Sequence, residues 1–237
     1  MTTAIVAPTP ELAAEADARF EGIADPVEQA LAVLTWAGET FGNSFAVTSS
    51  MADGLLAHLA SRAVPGVNVV FLDTGYHFAE TIGTREWISS VLPITLHNVQ
   101  PGLTVAEQDA RHGPRLFDRD PDACCGIRKV QPLVRALSGF TAWGSGVRRD
   151  EAATRAGTKV VDWDAKRGMV KVNPLAAWGS DDVAAYIAEH QVPVNPLAEL
   201  GYASIGCEPC TRPVAPGEDP RAGRWAGSTK TECGLHT

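Results

Sequence analysis

The chain has 237 residues, 45% of them hydrophobic and 20% charged, with a formal net charge of −8. That composition belongs to an ordinary globular protein and excludes a disordered or disulfide-stapled one, and a fold of this size withdraws roughly 70 to 75% of its unfolded surface from water. Residues 1–60 hold eight acids against one base, Arg19, so most of the negative charge sits there and the rest of the chain stays open to a small anionic ligand.

No lysine-rich tract with interleaved aromatics is present, which argues against nucleic acid as a partner. No apolar run approaches the roughly 18 residues of a membrane span. Met1 to Glu15 has no basic residue and does not read as a secretory signal, so a cytoplasmic location is expected.

Residues 1–40 read as a helical region, acid- and Ala-rich at first and then with Val27, Ala30, Leu31 and Leu34 at helical spacing. Strand, loop and helix follow at Ser44–Thr48, Ser49–Gly54 and the segment carrying Leu55, Leu56 and Leu59. The pattern repeats with a strand at Val67–Leu72, a loop opening at Asp73-Thr-Gly75, a helix at Glu80–Leu92 and a strand at Ile94–Val99. Such alternation predicts an α/β fold, a single domain with a mostly parallel twisted sheet flanked by helices.

From Pro101, Gly113, Pro114, Pro121 and the pair Cys124-Cys125 punctuate what reads as a loop-rich stretch before a helix over Ile127–Leu137. Strands are expected at Phe140–Trp143 and Met169–Val172, then a helix opened by Ser180 as its N-cap. From Gly201 onward Gly, Pro and charge dominate, which reads as a mobile C-terminal segment. The organisation is therefore a 1–40 helical region, a 41–205 nucleotide-binding domain and a 206–237 tail.

Ligands of open α/β sheets sit outside the carboxyl ends of the strands, so the loops at 49–54, 73–77 and 144–149 should converge on one crevice. Ser49, Ser50 and Asp53 lie in a loop that can offer hydroxyls and backbone N–H groups to an anion at a helix N-terminus, without the Gly-Lys-Ser/Thr ending of a Walker loop. Asp73 and Thr74 place a carboxylate and a hydroxyl just after an apolar strand. Arg148 and Arg149 put two guanidinium forks, suited to sulfate or phosphate, past a Gly-Ser-Gly turn.

The cysteines give the most specific signal. Cys124-Cys125 and the C-x-x-C of Cys207 and Cys210 supply four thiols, a donor set for a tetrahedral zinc or an iron–sulfur cluster, and the adjacent pair tilts the reading toward a cluster. Cys233, in Thr231-Glu-Cys-Gly-Leu-His236, is left over as a candidate nucleophile. Glu232 beside it raises its pKa, so activation calls for a counter-charge such as His236 or an arginine.

From about Phe45 to His236 these residues resemble the adenylyl-sulfate and phosphoadenylyl-sulfate reductase family, on its assimilatory adenylyl-sulfate side. The most specific motifs are Cys124-Cys-Gly-Ile-Arg-Lys-Val130, Cys207-Glu-Pro-Cys210, Arg221-Ala-Gly-Arg-Trp225 and the terminal Glu232-Cys-Gly-Leu-His236. The resemblance implies an adenine nucleotide alpha hydrolase-like fold and an oxidoreductase acting on a sulfur group. It implies a [4Fe-4S] cluster on Cys124, Cys125, Cys207 and Cys210, a set that points to adenylyl sulfate rather than its 3'-phosphorylated form. It further implies that Cys233 attacks the sulfur and that thioredoxin or a similar dithiol then releases sulfite. On this reading Ser49, Ser50, Arg148, Arg149, Arg221 and Arg224 neutralise the nucleotide phosphate, and Lys129 links cluster and substrate.

The 3'-phosphorylated substrate is the alternative within the family. A cluster-bearing RNA-modification enzyme of similar fold and a zinc-stabilised nucleotide-binding module are the rivals outside it. A homo-oligomer is left open.

Overall fold

The computed structural model describes residues 6–226 together with Lys230, Glu232, Gly234 and Leu235. The chain begins with two helices, α1 (Pro10–Phe20) and α2 (Pro26–Phe41). Each has proline in its first turn and a capping side chain before it: Thr9 accepts from the Leu12 N–H at 3.1 Å, and Asp25 from the Glu28 N–H at 2.8 Å. Ala30, Val33, Leu34, Ala37 and Phe41 form the buried stripe of α2, and Ala13, Ala16 and Phe20 that of α1. Both stripes join the main apolar core shared with the sheet.

A six-stranded sheet follows, built from β1 (Phe45–Thr48), β2 (Asn68–Leu72), β3 (Thr95–Val99), β4 (Ala142–Gly144), β5 (Val161–Asp164) and β6 (Met169–Val172) in the order β3-β2-β1-β4-β6-β5. All pairings are parallel except that of β5 with β6. Helix α3 (Leu55–Ala63) joins β1 to β2, and α4 (Ala79–Val91) joins β2 to β3. The strand order reverses between β1 and β4, which opens a crevice at their carboxyl ends, the place where doubly wound sheets bind nucleotides.

Beyond β3, residues 105–112, 116–119, 121–125 and 131–137 form α5 (Val105–His112), α6 (Leu116–Arg119), α7 (Pro121–Cys125) and α8 (Gln131–Leu137). The stretch expected to be loop-rich is thus partly helical. α5 is fixed by a capping box in which Thr104 and Glu107 bond each other's backbone N–H. The helix expected to start at Ile127 begins instead with a π-turn over Gly126–Val130, closed by the Gln131 N–H on the Gly126 carbonyl.

β5 was not anticipated. It is a short antiparallel edge strand covered by α1, whose Asp17 accepts from the Val161 N–H at 3.0 Å. The last helix, α9 (Ser180–His190), is capped by Gly179 rather than by Ser180. The Asp182 carboxylate accepts from the Gly179 N–H at 2.8 Å, while Ser180 turns its hydroxyl to Asp150 at 3.2 Å.

Residues 201–226 are laid back onto the body. Cys207 bridges to His77, Thr211 bridges to Arg224, and the Glu208 N–H donates to the Tyr76 carbonyl at 2.7 Å.

Candidate active site

The loops after β1, β2 and β4 line one cleft of about 840 Å³, within the size range of small-ligand pockets. Ser49, Ser50, Asp53, Thr74, Lys129, Arg148, Arg149, Arg221 and Arg224 all line it. The convergence of three separated loops expected from the sequence is therefore present.

The 49–54 loop owes its shape to Met51, a buried residue held at φ 59 in the left-handed region. Ser49 Oγ accepts from the Met51 N–H at 3.2 Å. From below, the buried Asn195 amide donates to the Met51 carbonyl at 3.3 Å and to Thr81 Oγ1 at 3.0 Å. A strained non-glycine turn held on both sides is a preorganised platform for a ligand. Asp53 accepts from the Leu55 N–H at 2.9 Å; burial raises its pKa, against the opposing pull of that N–H and of Arg148.

The arginines face the cleft already engaged. Arg148 Nε donates to Asp150 at 2.9 Å, and Arg149 donates to the Thr158 carbonyl at 2.7 Å and to Glu21 at 2.9 Å. The Arg224 guanidinium lies 4.6 Å from the Trp225 ring centroid. The Arg221-Ala-Gly-Arg turn needs its glycine: a Cβ on Gly223 would stand 2.2 Å from the Arg212 carbonyl oxygen.

Asp73 does not reach the cleft lining. Its carboxylate accepts from the Gly75 N–H at 3.1 Å and the Asn98 amide at 3.4 Å, and Arg85 stands 3.6 Å away. It closes an Asx-type turn instead of waiting for a ribose. Thr74 turns its hydroxyl to Cys207 Sγ at 3.3 Å.

The thiols of Cys124, Cys125, Cys207 and Cys210 line a second, smaller cavity with Tyr76, Phe117, Arg128, Lys129 and Trp225. Among the described residues no three His, Cys, Asp or Glu groups are placed to hold a single metal ion. Burial, then the sulfurs of Cys125 and Cys207, push the Cys124 thiol up to about 11; burial, then Cys207, push Cys210 up to about 12. Crowded thiols that resist ionisation on their own suit a cationic centre that replaces their protons, so the donor set fits an iron–sulfur cluster.

Around them stands a layer the sequence did not reveal. The buried Gln108 amide donates to Cys124 Sγ at 3.9 Å and its oxygen accepts from Arg128 at 3.1 Å, while Arg128 also donates to the Thr74 carbonyl and lies 5.2 Å from the Tyr76 ring centroid. Lys129 and Trp225 line both cavities, at the boundary between thiols and cleft.

Cys233 and His236 lie outside the described residues. Their neighbours do not. Glu232 is held by Arg155 and Arg221, and Leu235 packs beside Leu133, Trp143 and Met169. The sequence marks Arg155 as a basic residue close behind the arginine loop and Glu232 as an adverse charge beside Cys233, but gives no sign that the two pair with each other.

Known proteins resemble the chain across most of its length. The family described as phosphoadenosine phosphosulfate reductase domain matches residues 43–213. An adenosine 5'-phosphosulfate reductase of Streptomyces coelicolor is 62% identical over 207 residues, 87% of this chain and 88% of the relative. Proteins of the same name from Rhodococcus opacus and Mycolicibacterium smegmatis are 52% and 53% identical, covering 95% and 86% of this chain and 94% and 86% of their own.

Among solved structures, a phosphoadenylyl-sulfate reductase from Candida auris in complex with phosphate superposes with a TM-score of 0.73 at 28% identity, over 88% of this chain and 100% of that one. A Candida glabrata FMN adenylyltransferase, 14% identical with a TM-score of 0.56 over 89% of this chain and 75% of its own, shares the fold alone. With a motif match across most of its length and relatives at this identity, the chain belongs to the phosphoadenosine phosphosulfate reductase family.

Proposed function

We propose that this chain reduces adenylyl sulfate to sulfite and AMP in assimilatory sulfate reduction in the cytoplasm, with a dithiol protein such as thioredoxin as reductant and Cys233 as nucleophile. The observation that carries the reading is the junction of the two cavities: an anion cleft lined by Ser49, Ser50 and five arginines meets a four-thiol cavity at Lys129. The three bacterial relatives are named for this activity. Among the described residues no helix is long and apolar enough to cross a membrane.

The adenylyl phosphate sits against the 49–54 loop, where hydroxyls and arginines lower the charge it carries as a leaving group. The Cys233 thiolate attacks the sulfate sulfur, a sulfur–sulfur bond forms, and the bond from sulfur to the bridging phosphate oxygen breaks, with its electron pair leaving on AMP. A dithiol thiolate next attacks Cys233 Sγ and expels sulfite, and its second thiol closes a disulfide, so two electrons pass from dithiol to sulfur. His236 or an arginine supplies the counter-charge that keeps Cys233 ionised beside Glu232.

Cys124, Cys125, Cys207 and Cys210 would hold a [4Fe-4S] cluster, which when bound would organise the thiol cavity and offer a negatively charged, sulfur-rich centre that orients the Lys129 ammonium toward the anionic substrate. Lys129 carries that influence into the cleft, and Trp225 keeps water from the boundary. A second reading, reduction of the 3'-phosphorylated substrate, is favoured by the likeness to the Candida auris protein.

Anaerobic intact mass spectrometry after separate incubation with adenylyl sulfate and its 3'-phosphorylated form tests the proposal, with Cys233→Ser as control. An SO3 adduct from adenylyl sulfate, absent in the control, is expected. An adduct mainly from the 3'-phosphorylated compound selects the second reading, and none from either overturns both.

A further inference from the structure

Arg128 differs from the other arginines in being both buried and without an acid. It is 3% exposed and sits inside the π-turn that links the cysteine pair to α8. Its Nε donates to the Thr74 carbonyl, and its Nη1 donates to the Leu103 carbonyl at 3.2 Å and to Gln108 Oε1 at 3.1 Å. The guanidinium also lies 5.2 Å from the Tyr76 ring centroid. The backbone makes room for it: Gly75 holds φ 73, and a Cβ there would stand 3.1 Å from Arg128 Nη2.

Every one of these partners is neutral. Among the described residues Arg128 forms no ion pair, whereas Arg155 meets Glu151 and Glu232, and Arg167 meets Asp164. Asp109, next to Gln108 on α5, does not pair with it either. A guanidinium keeps its proton at any ordinary pH, and a charge withdrawn from water is costly unless an opposite charge balances it. The balancing charge must come from what the side chain faces.

It faces the thiol cavity, which it lines together with Cys124, Cys125, Cys207 and Cys210. The fully buried Gln108 makes the connection: its oxygen is taken by Arg128, so its amide nitrogen is turned to Cys124 Sγ at 3.9 Å. Protonated thiols would leave the guanidinium unbalanced. Four thiolates around an iron–sulfur core carry net negative charge, and their sulfurs accept such amide hydrogen bonds. The next residue, Lys129, is placed differently, since it lines both cavities while Arg128 does not line the nucleotide cleft.

We infer that Arg128 is a positioning residue, the internal counter-charge of the anionic cluster that the four cysteines would hold, with Gln108 aiming it at Cys124. Balancing part of that charge from within keeps the Lys129 ammonium from being drawn wholly onto the sulfurs. The inference rests on the cluster reading.

The test uses the full-length protein, iron-free and after anaerobic reconstitution with iron and sulfide, and the variants Arg128→Met, Arg128→Lys and Gln108→Leu. Iron release to bathophenanthroline should be roughly tenfold faster in Arg128→Met, within about twofold of the parent in Arg128→Lys, and roughly threefold faster in Gln108→Leu. Cluster loading should raise the Tm of Arg128→Met by roughly 3–6 °C less than that of the parent, the equivalent of a tenfold change at this chain length. AMP affinity should stay within about twofold in all three.

Parent-like iron release from Arg128→Met overturns the inference, as does an equal loss of Tm in its iron-free and loaded forms. Arg128→Lys releasing iron as fast as Arg128→Met also overturns it, because the hydrogen bonds and not the charge would then be what matters. Should Arg128→Met not fold even iron-free, Gln108→Leu decides by the same two readings. A parent that takes up no iron and sulfide overturns the cluster reading, and this inference with it.

Discussion

Thr74 Oγ1 stands 3.3 Å from Cys207 Sγ, a contact between the loop after β2 and the first cysteine of the C-x-x-C. The same hydroxyl accepts from the Tyr76 N–H at 3.2 Å, so it sets the loop and one thiol together. Thr74→Val keeps the shape and removes the hydroxyl. The expected outcome is a folded protein that loses iron and its visible absorbance in air several times faster than the parent; equal retention would show that the contact does not steady the thiol.

Lys129→Met retains most of the apolar stem and deletes the charge at the boundary of the two cavities. Iron content should remain near that of the parent, while the SO3 adduct forms roughly a hundredfold more slowly, the scale of losing one preorganised charge at a transition state. Stopped-flow quench with mass spectrometry measures both in one sample. A proportionate loss of iron would reassign Lys129 to holding the thiols.

Gly223→Ala forces a methyl to within 2.2 Å of the Arg212 backbone oxygen, which cannot swing away as a side-chain tip does. Overpacking of this kind costs about 1–3 kcal/mol, or a Tm roughly 2–12 °C lower at this chain length. AMP affinity should fall with it, since Arg221 and Arg224 ride on the displaced turn. Calorimetry and AMP titration report the two effects separately.

Acid should loosen the contact of α3 with α9. His58 Nδ1 lies 3.0 Å from the Tyr186 hydroxyl, Arg62 donates to the same oxygen at 3.0 Å, and the His58 and His190 rings are 5.5 Å apart. Burial, then His190 and Arg62, lowers the His58 pKa below its ordinary 6.5. The unfolded chain therefore takes up the proton first, so this contribution to stability is present above pH 6.5 and is lost as the pH falls below it. His58→Gln should flatten the acid limb of a Tm-versus-pH curve below about pH 6.5.

Much of this arrangement could be read along the chain, and the misses share a cause. β1, β2 and β4 announce themselves as short, largely apolar runs, and the three loops at their carboxyl ends follow from the sheet rule. β5, Val161-Asp-Trp-Asp, has no such run; it becomes a strand only because β6 pairs with it and α1 covers it. α5 was hidden by Pro101, Gly102, Gly113 and Pro114, although Thr104-Val-Ala-Glu107 spells a capping box.

At the site, the cysteines were legible as types and spacings, whereas partners drawn from distant segments were not. Asp73 looked available until Arg85 of α4 and Asn98 of β3 are placed beside it. Gln108 had no mark in the sequence as a neighbour of Cys124, since only the docking of α5 against α7 puts it there.

The π-turn between Cys125 and α8 contains one residue more than an ordinary helical turn, its closing bond running from Gln131 to Gly126. In a helix of 3.6 residues per turn, one added residue rotates everything before it by about 100° relative to everything after it. The cysteine pair and the apolar face of α8 are thus set in different directions by a single insertion. Winding the same five residues as ordinary α-helix would swing both sulfurs about 100° off their cavity with Leu133 and Leu137 still seated, whereas excising one residue together with the bulge would keep them aimed at it. The spare residue inside that turn, rather than the length of the helix, aims the thiols.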